Sequence, residues 1–197
     1  MSVRRSIWGV SYAQSRGLAV FGLLLLQLSS ARAHRLDECL QAARISVSRE
    51  EIEVELDLTP GVNTLTRILP LIDLDLDGSI SAAEGEAYAD LVRTGLILEV
   101  DGRSQTLRLI ENQFPSLQEM RDGMGMIRLK LSVALLPLRP GRHHLRFSNH
   151  HQIDLSVYLA NVLVPSDTFV EIKRQTRDTL QRELSVDFRV KRRSKGP

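Results

Sequence analysis

Cysteine is nearly absent from this chain. Cys39 is the only one in 197 residues, so no internal disulfide can staple the fold, and a small disulfide-framed scaffold is excluded. Leu36-Asp37-Glu38 before it lack the small residues of a lipid-attachment site, so Cys39 is expected as a buried or partly buried thiol. Long hydrophobic runs are missing too. Residues 17–28, broken only by Gln27, and 155–164 are almost continuously apolar, but both fall short of the roughly 20 residues that a bilayer-spanning helix needs. There is no Gly-x-Ser-x-Gly elbow, no His-Glu-x-x-His helix and no phosphate-cradling glycine loop, and the chain is expected not to be an enzyme. No sustained internal repeat is present.

An excess of basic charge is missing as well, once the first residues are set aside. Arg4, Arg5 and Arg16 precede the apolar stretch 17–28, and Ala31-Arg32-Ala33 supplies the small-x-small pattern of a signal-peptide cleavage site. Residues 1–33 therefore read as a signal peptide, and the mature chain, beginning at His34, is expected to be periplasmic or secreted. Trp8, the only tryptophan, leaves with the signal. Four of the 26 lysines and arginines precede His34 and none of the 24 acids does, which leaves 22 basic against 24 acidic residues and a net charge of −2. A general nucleic-acid role loses its main support.

What is present is a β pattern interrupted once. Ile45 and Val47, then Ile52, Val54, Leu56 and Leu58, alternate with polar residues, a period of two that predicts a hairpin across Arg49-Glu50 with one buried face. Thr59-Pro60-Gly61 ends the second strand. Helical spacing follows near 63–69 and again over 82–94, where Ala87, Tyr88, Leu91 and Val92 share a side. Everything after Gly95 reads as strand and turn. Residues 96–100 are expected to pair with 107–110 across Asp101-Gly102. Alternation recurs at Ile127–Val133, at Leu145 and Phe147, at Val170 and Ile172, and at Leu184–Phe188, and 155–164 reads as one or two buried strands. The expected fold is mainly β: a β-sandwich-like domain over 34–188, with a helix-loop-helix inserted at about 62–95. The basic tail 189–197 is expected to be solvated, or to meet anionic lipid headgroups.

The specific motif lies in the insertion. Residues 73–84 read Asp-Leu-Asp-Leu-Asp-Gly-Ser-Ile-Ser-Ala-Ala-Glu and satisfy the EF-hand calcium spacing at every restricted position. Calcium is a hard cation that takes six to eight oxygens at about 2.3–2.6 Å. Asp73, Asp75 and Asp77 supply carboxylates on alternate residues, and Gly78 permits the sharp turn. Ser79 offers its backbone carbonyl, Ser81 acts through a water, and Glu84 closes the sphere with both oxygens. Those positions coincide by chance in about a few windows per million. Ile80 is expected to point into the core, and Ser81 with Glu84 forms a capping box for the outgoing helix. Pro70 is expected to shorten or kink the entering helix. No second Asp-x-Asp-x-Asp-Gly loop exists in the chain, which favours a structural or weak site over a cooperative sensor.

His34-Arg35-Leu36-Asp37-Glu38, the run from Leu56 to Val62, the calcium loop and Ser156-Val157-Tyr158-Leu159 together resemble a bacterial group: exported EF-hand domains similar to the N-terminal, extracytoplasmic part of the hydrogenase/urease accessory membrane family. Members of that family continue into transmembrane helices and are linked to nickel or cobalt uptake; such helices are not found after residue 34 here. The resemblance implies calcium held by Asp73, Asp75, Asp77, Ser79 and Glu84, in a module with an envelope or membrane protein partner. A second reading is a transition-metal domain for nickel, cobalt or copper. His34 would chelate through its amine and imidazole, and the pairs His143-His144 and His150-His151 would add nitrogens. Neighbours on a strand face opposite ways, so each pair would give one ligand. The plainer expectation is four solvent-exposed turn histidines.

Overall fold

The computed structural model describes residues 37–192. The strand periodicity becomes two five-stranded sheets. β1 (Cys39–Val47) and β2 (Glu51–Pro60) form the expected antiparallel hairpin, with Ile45 opposite Val54 and Val47 opposite Ile52. Two helices follow, α1 (Leu65–Ile72) and α2 (Ala82–Thr94). The remaining elements are β3 (Leu96–Val100), β4 (Arg103–Gln105), β5 (Arg108–Gln113), a short α3 (Leu117–Arg121), β6 (Ile127–Ala134), β7 (Gly141–Asn149), β8 (Ser156–Val162), β9 (Val170–Arg177) and β10 (Glu183–Val190). One sheet has the order β5-β6-β2-β1-β8 and the other β4-β3-β7-β10-β9. All pairings are antiparallel except β1 with β8. Inward residues of both sheets, among them Val54, Leu56, Leu131, Phe147, Val186 and Phe188, join one apolar core. The chain is therefore mainly β, with helices as a minority.

Several expectations are corrected. α1 runs through Pro70 to Ile72, because Leu65, Ile68 and Ile72 are buried on one side while Pro70 faces solvent, where the lost backbone hydrogen bond is cheapest. In α2 the buried side holds Tyr88, Ala89 and Val92, while Leu91 is exposed. The Asp101-Gly102 turn exists, with both residues at positive φ (51° and 74°) as a tight hairpin requires. Its second strand, however, is 103–105, and 108–113 crosses to pair with β6 in the other sheet. α3 was not expected; its Ser116–Glu119 capping box repeats the signal of α2. Residues 156–162 form one edge strand with alternate burial: Tyr158 and Ala160 face the core, Val157 and Leu159 face water. Side chains of β9 cover its open edge. Arg177 Nε donates to the Ala160 carbonyl (2.6 Å) and Gln175 Oε1 accepts from the Val162 amide (3.3 Å), which blunts edge-to-edge pairing. The tail begins later than expected, since Arg189 and the buried Val190 complete β10; residues 193–197 lie outside the described ones.

A buried polar junction links the sheets. Gln41 of β1 donates from Nε2 to the His151 carbonyl (2.9 Å) and to Ser156 Oγ (2.7 Å), and its Oε1 accepts from Asn149 Nδ2 (2.8 Å). Asn149 Oδ1 accepts from the His151 amide (3.0 Å), and Tyr158 Oη donates to the His151 carbonyl (2.8 Å). Gly95 packs beneath: a Cβ there would sit 2.9 Å from the His151 amide nitrogen. Cys39 is free and fully buried nearby, and burial pushes its thiol up to about 12, so the sulfur is neither ionised nor reachable for an intermolecular disulfide.

Burial also pulls His151 from 6.5 down to about 4. The neutral imidazole therefore contributes stability that is fully present above pH 6.5 and is lost as the pH falls toward 4, where the unfolded chain takes a proton that the folded chain refuses. The gap in unfolding free energy between wild type and His151→Gln is expected to narrow by about 3 kcal/mol over that fall. Urea unfolding at a series of pH values measures it, and a gap independent of pH would refute the buried neutral state.

Candidate metal centre

The loop between α1 and α2 is built from local rules. α1 stops at Asp73, whose amide donates to the Leu69 carbonyl (2.9 Å). The fully buried Ile72 fixes the loop's first residue against the core. Leu76 (φ 61°) and Gly78 (φ 85°) take left-handed conformations that wind the chain tightly. Asp75 Oδ1 accepts from the Asp77 amide (3.1 Å), and Asp77 Oδ1 accepts from the amide and hydroxyl of Ser79 (2.8 and 2.7 Å). Ile80 packs against the core as expected. Ser81 then caps α2 in a capping box with Glu84.

Glu84 closes the loop. Its Oε2 accepts from the amide and hydroxyl of Ser81 (2.9 and 2.7 Å), and its Oε1 from the amides of Leu74 (2.7 Å) and Asp75 (3.4 Å). The Ser81 amide and then its hydroxyl are the largest causes that lower the carboxyl to about 2, so Glu84 is an anion. The Leu74 and Asp75 amides were not expected from the sequence, since every residue but proline carries one. Asp73 is buried. Its Oδ2 accepts from the Gly78 amide (3.2 Å), but its Oδ1 is buried with no hydrogen-bond partner.

Asp73, Asp75 and Glu84 each present an oxygen, and the three oxygens lie within 4.8 Å of one another. No cation pairs with any of them among the described residues. Three anions this close repel, and a buried, unpartnered carboxylate oxygen is costly. A cation at their meeting point answers both. The donor set is all oxygen, which suits calcium or magnesium and not the metals that prefer nitrogen or sulfur. Of the residues expected as ligands, Asp73, Asp75 and Glu84 converge; Asp77 is turned toward Ser79, and Ser79 donates to it.

Among the described residues the histidines do not converge into a metal-binding group. His143 and His144 lie in β7 and not in a turn, and they face opposite ways: His143 Nδ1 meets Asp101 (2.8 Å) and His144 Nδ1 meets Asp187 (2.8 Å). His143 Nε2 also meets the Arg139 carbonyl (2.8 Å). Burial would lower its pKa, but these oxygens outweigh it and raise the value, and both ring nitrogens are taken up by protein oxygens. His151 is buried, with Nε2 on Tyr88 Oη (3.3 Å). His34 and the signal-peptide residues lie outside the described ones. No protein-family model matches the chain, and no curated protein matches it.

Proposed function

We propose that the chain is an exported calcium-binding module, with one Ca²⁺ held in an EF-hand loop at 73–84 for a structural purpose. The carrying observation is the buried, unpartnered Oδ1 of Asp73 beside the oxygens of Asp75 and Glu84. Asp77 and the Ser79 carbonyl complete the set by their place in the loop. Bound calcium supplies positive charge that relieves the repulsion among the carboxylates. On this reading the two sheets form a β-sandwich, the EF-hand is an insertion between β2 and β3, residues 1–33 direct export, and the module serves an envelope or membrane partner rather than a reaction. The likeness to the exported domains of the hydrogenase/urease accessory family is part of the same proposal.

The structural purpose follows from anchoring. Leu65, Ile68 and Ile72 of α1 and Tyr88, Ala89 and Val92 of α2 all belong to the common core. Opening the helix pair would expose them, and neither helix carries the methionines of an adaptable groove. Calcium at a hundredfold excess over Kd is expected to stabilise the fold by about 2.7 kcal/mol. Thermal melts with calcium and with chelator read this, beside a dye that reports exposed apolar surface. A higher melting temperature without added dye binding is expected. More dye binding at an unchanged melting temperature would contradict a structural site and indicate a switch.

A further inference from the structure

We propose that the end of the molecule formed by the β1–β2 turn, the β6–β7 and β8–β9 loops and the exit from β10 docks on an anionic lipid surface. These segments form one connected end. The Leu135 amide donates to the Glu50 carbonyl (2.7 Å), that of Leu138 to Arg49 (2.9 Å), and that of Lys191 to Phe169 (2.8 Å). Arg49 pairs with Asp167 (2.8 Å) and lies 4.2 Å over the Phe169 ring. The helix-loop-helix enters and leaves at the other end of the strands, after Pro60 and before Leu96.

Two apolar tips project here, Val164 at 94% exposure and Leu136 at 90%. Single exposed apolar residues are ordinary, but these border a surface rich in arginine and lysine. Arg142 and Arg189 stand directly opposite each other on β7 and β10, a like-charge pair, with Glu171 opposite Arg189 on its other side in β9. They line one cleft with Lys173 and Arg174. Arg189 also lines the next with Lys191 and Arg192, and Glu171 joins that cleft to the one lined by Leu163 and Val164. Four of the acids nearby are engaged, Asp101 by His143, Asp167 by Arg49, Glu171 by Lys173 and Asp187 by His144, while Glu50 and Glu51 of the β1–β2 turn are exposed and without an ion-pair partner among the described residues. Arg139, Arg142, Arg174, Arg189 and Arg192 have no ion-pair partner among the described residues. The outer face of the other sheet differs, for there Arg44 and Arg128 meet Asp57 and Lys130 meets Glu53. Arg193 and Lys195 follow in the sequence. Cations beside protruding apolar tips fit a headgroup layer over acyl chains, whereas a soluble anion would leave the tips unused.

The test is co-sedimentation of the protein with vesicles of phosphatidylglycerol and phosphatidylcholine, against phosphatidylcholine alone. Binding is expected only to the anionic vesicles, weakening with salt and unchanged by chelator. The double variant Arg142→Glu/Arg189→Glu is expected to lower partitioning at least about tenfold. Val164→Glu should lower it several-fold, and Leu180→Glu, at the other end of β10, should not. Absence of vesicle binding, or binding of soluble polyphosphate in its place, would overturn the proposal. So would binding that requires calcium, since that places the contact at the loop where Leu74 and Leu76 are exposed. Wild-type binding by the double variant or by Val164→Glu would overturn it as well.

Discussion

Glu84→Gln is expected to lower calcium affinity on the order of a hundredfold and to leave the fold intact, because ligand charge and number set EF-hand affinity over several decades. Glutamine keeps an oxygen for the Ser81 amide and still satisfies the capping-box pattern, so α2 retains its N-terminus. What is lost is the negative charge and the second oxygen that together close the coordination sphere. Circular dichroism of the variant should match wild type while calorimetric titration shows the loss. Unchanged affinity would remove Glu84 from the site.

Gln41→Leu is expected to destabilise the protein by about 4 kcal/mol, since a buried polar group left without its partner costs about 1–3 kcal/mol and more than one is orphaned. Gln41 is 1% exposed and bonds to Asn149, His151 and Ser156 at once. Leucine has similar bulk but no polar atoms, so the Asn149 amide group loses its acceptor while the His151 carbonyl keeps only Tyr158. Chemical denaturation reads the change. A loss below about 1 kcal/mol would mean that the surroundings relax to other partners.

Legibility in the sequence follows the range of the interactions. The winding of loop 73–84 was legible because its carboxylates and its glycine fall within twelve consecutive residues, and the Ser81–Glu84 cap spans three. The β1–β2 hairpin was legible for the same reason. The polar junction was not, because Gln41 meets His151 across 110 positions, and a glutamine in an alternating strand looks like any other polar residue. The departure of 108–113 from its hairpin neighbour could not be read either, since the alternating residues fit either sheet and the choice rests on β6 arriving later in the chain. Residues 156–162 looked fully buried because apolar residues sit on both faces; their place at a sheet edge exposes one face. α3 carried a readable signal in Ser116 and Glu119, masked by the strand patterns on either side.

Isothermal titration of the protein with Ca²⁺, Ni²⁺ and Cu²⁺ in turn tests the proposed calcium site most directly. One calcium per chain is expected, with Kd between about 10⁻⁶ and 10⁻³ M, as suits a single loop without a partner loop to pre-organise it. Because the converging donors of Asp73, Asp75 and Glu84 are all oxygen, Ni²⁺ and Cu²⁺ are expected not to compete with calcium there. No binding of calcium, with Ni²⁺ or Cu²⁺ bound tightly in its place, would contradict the assignment and move the metal chemistry to the histidines.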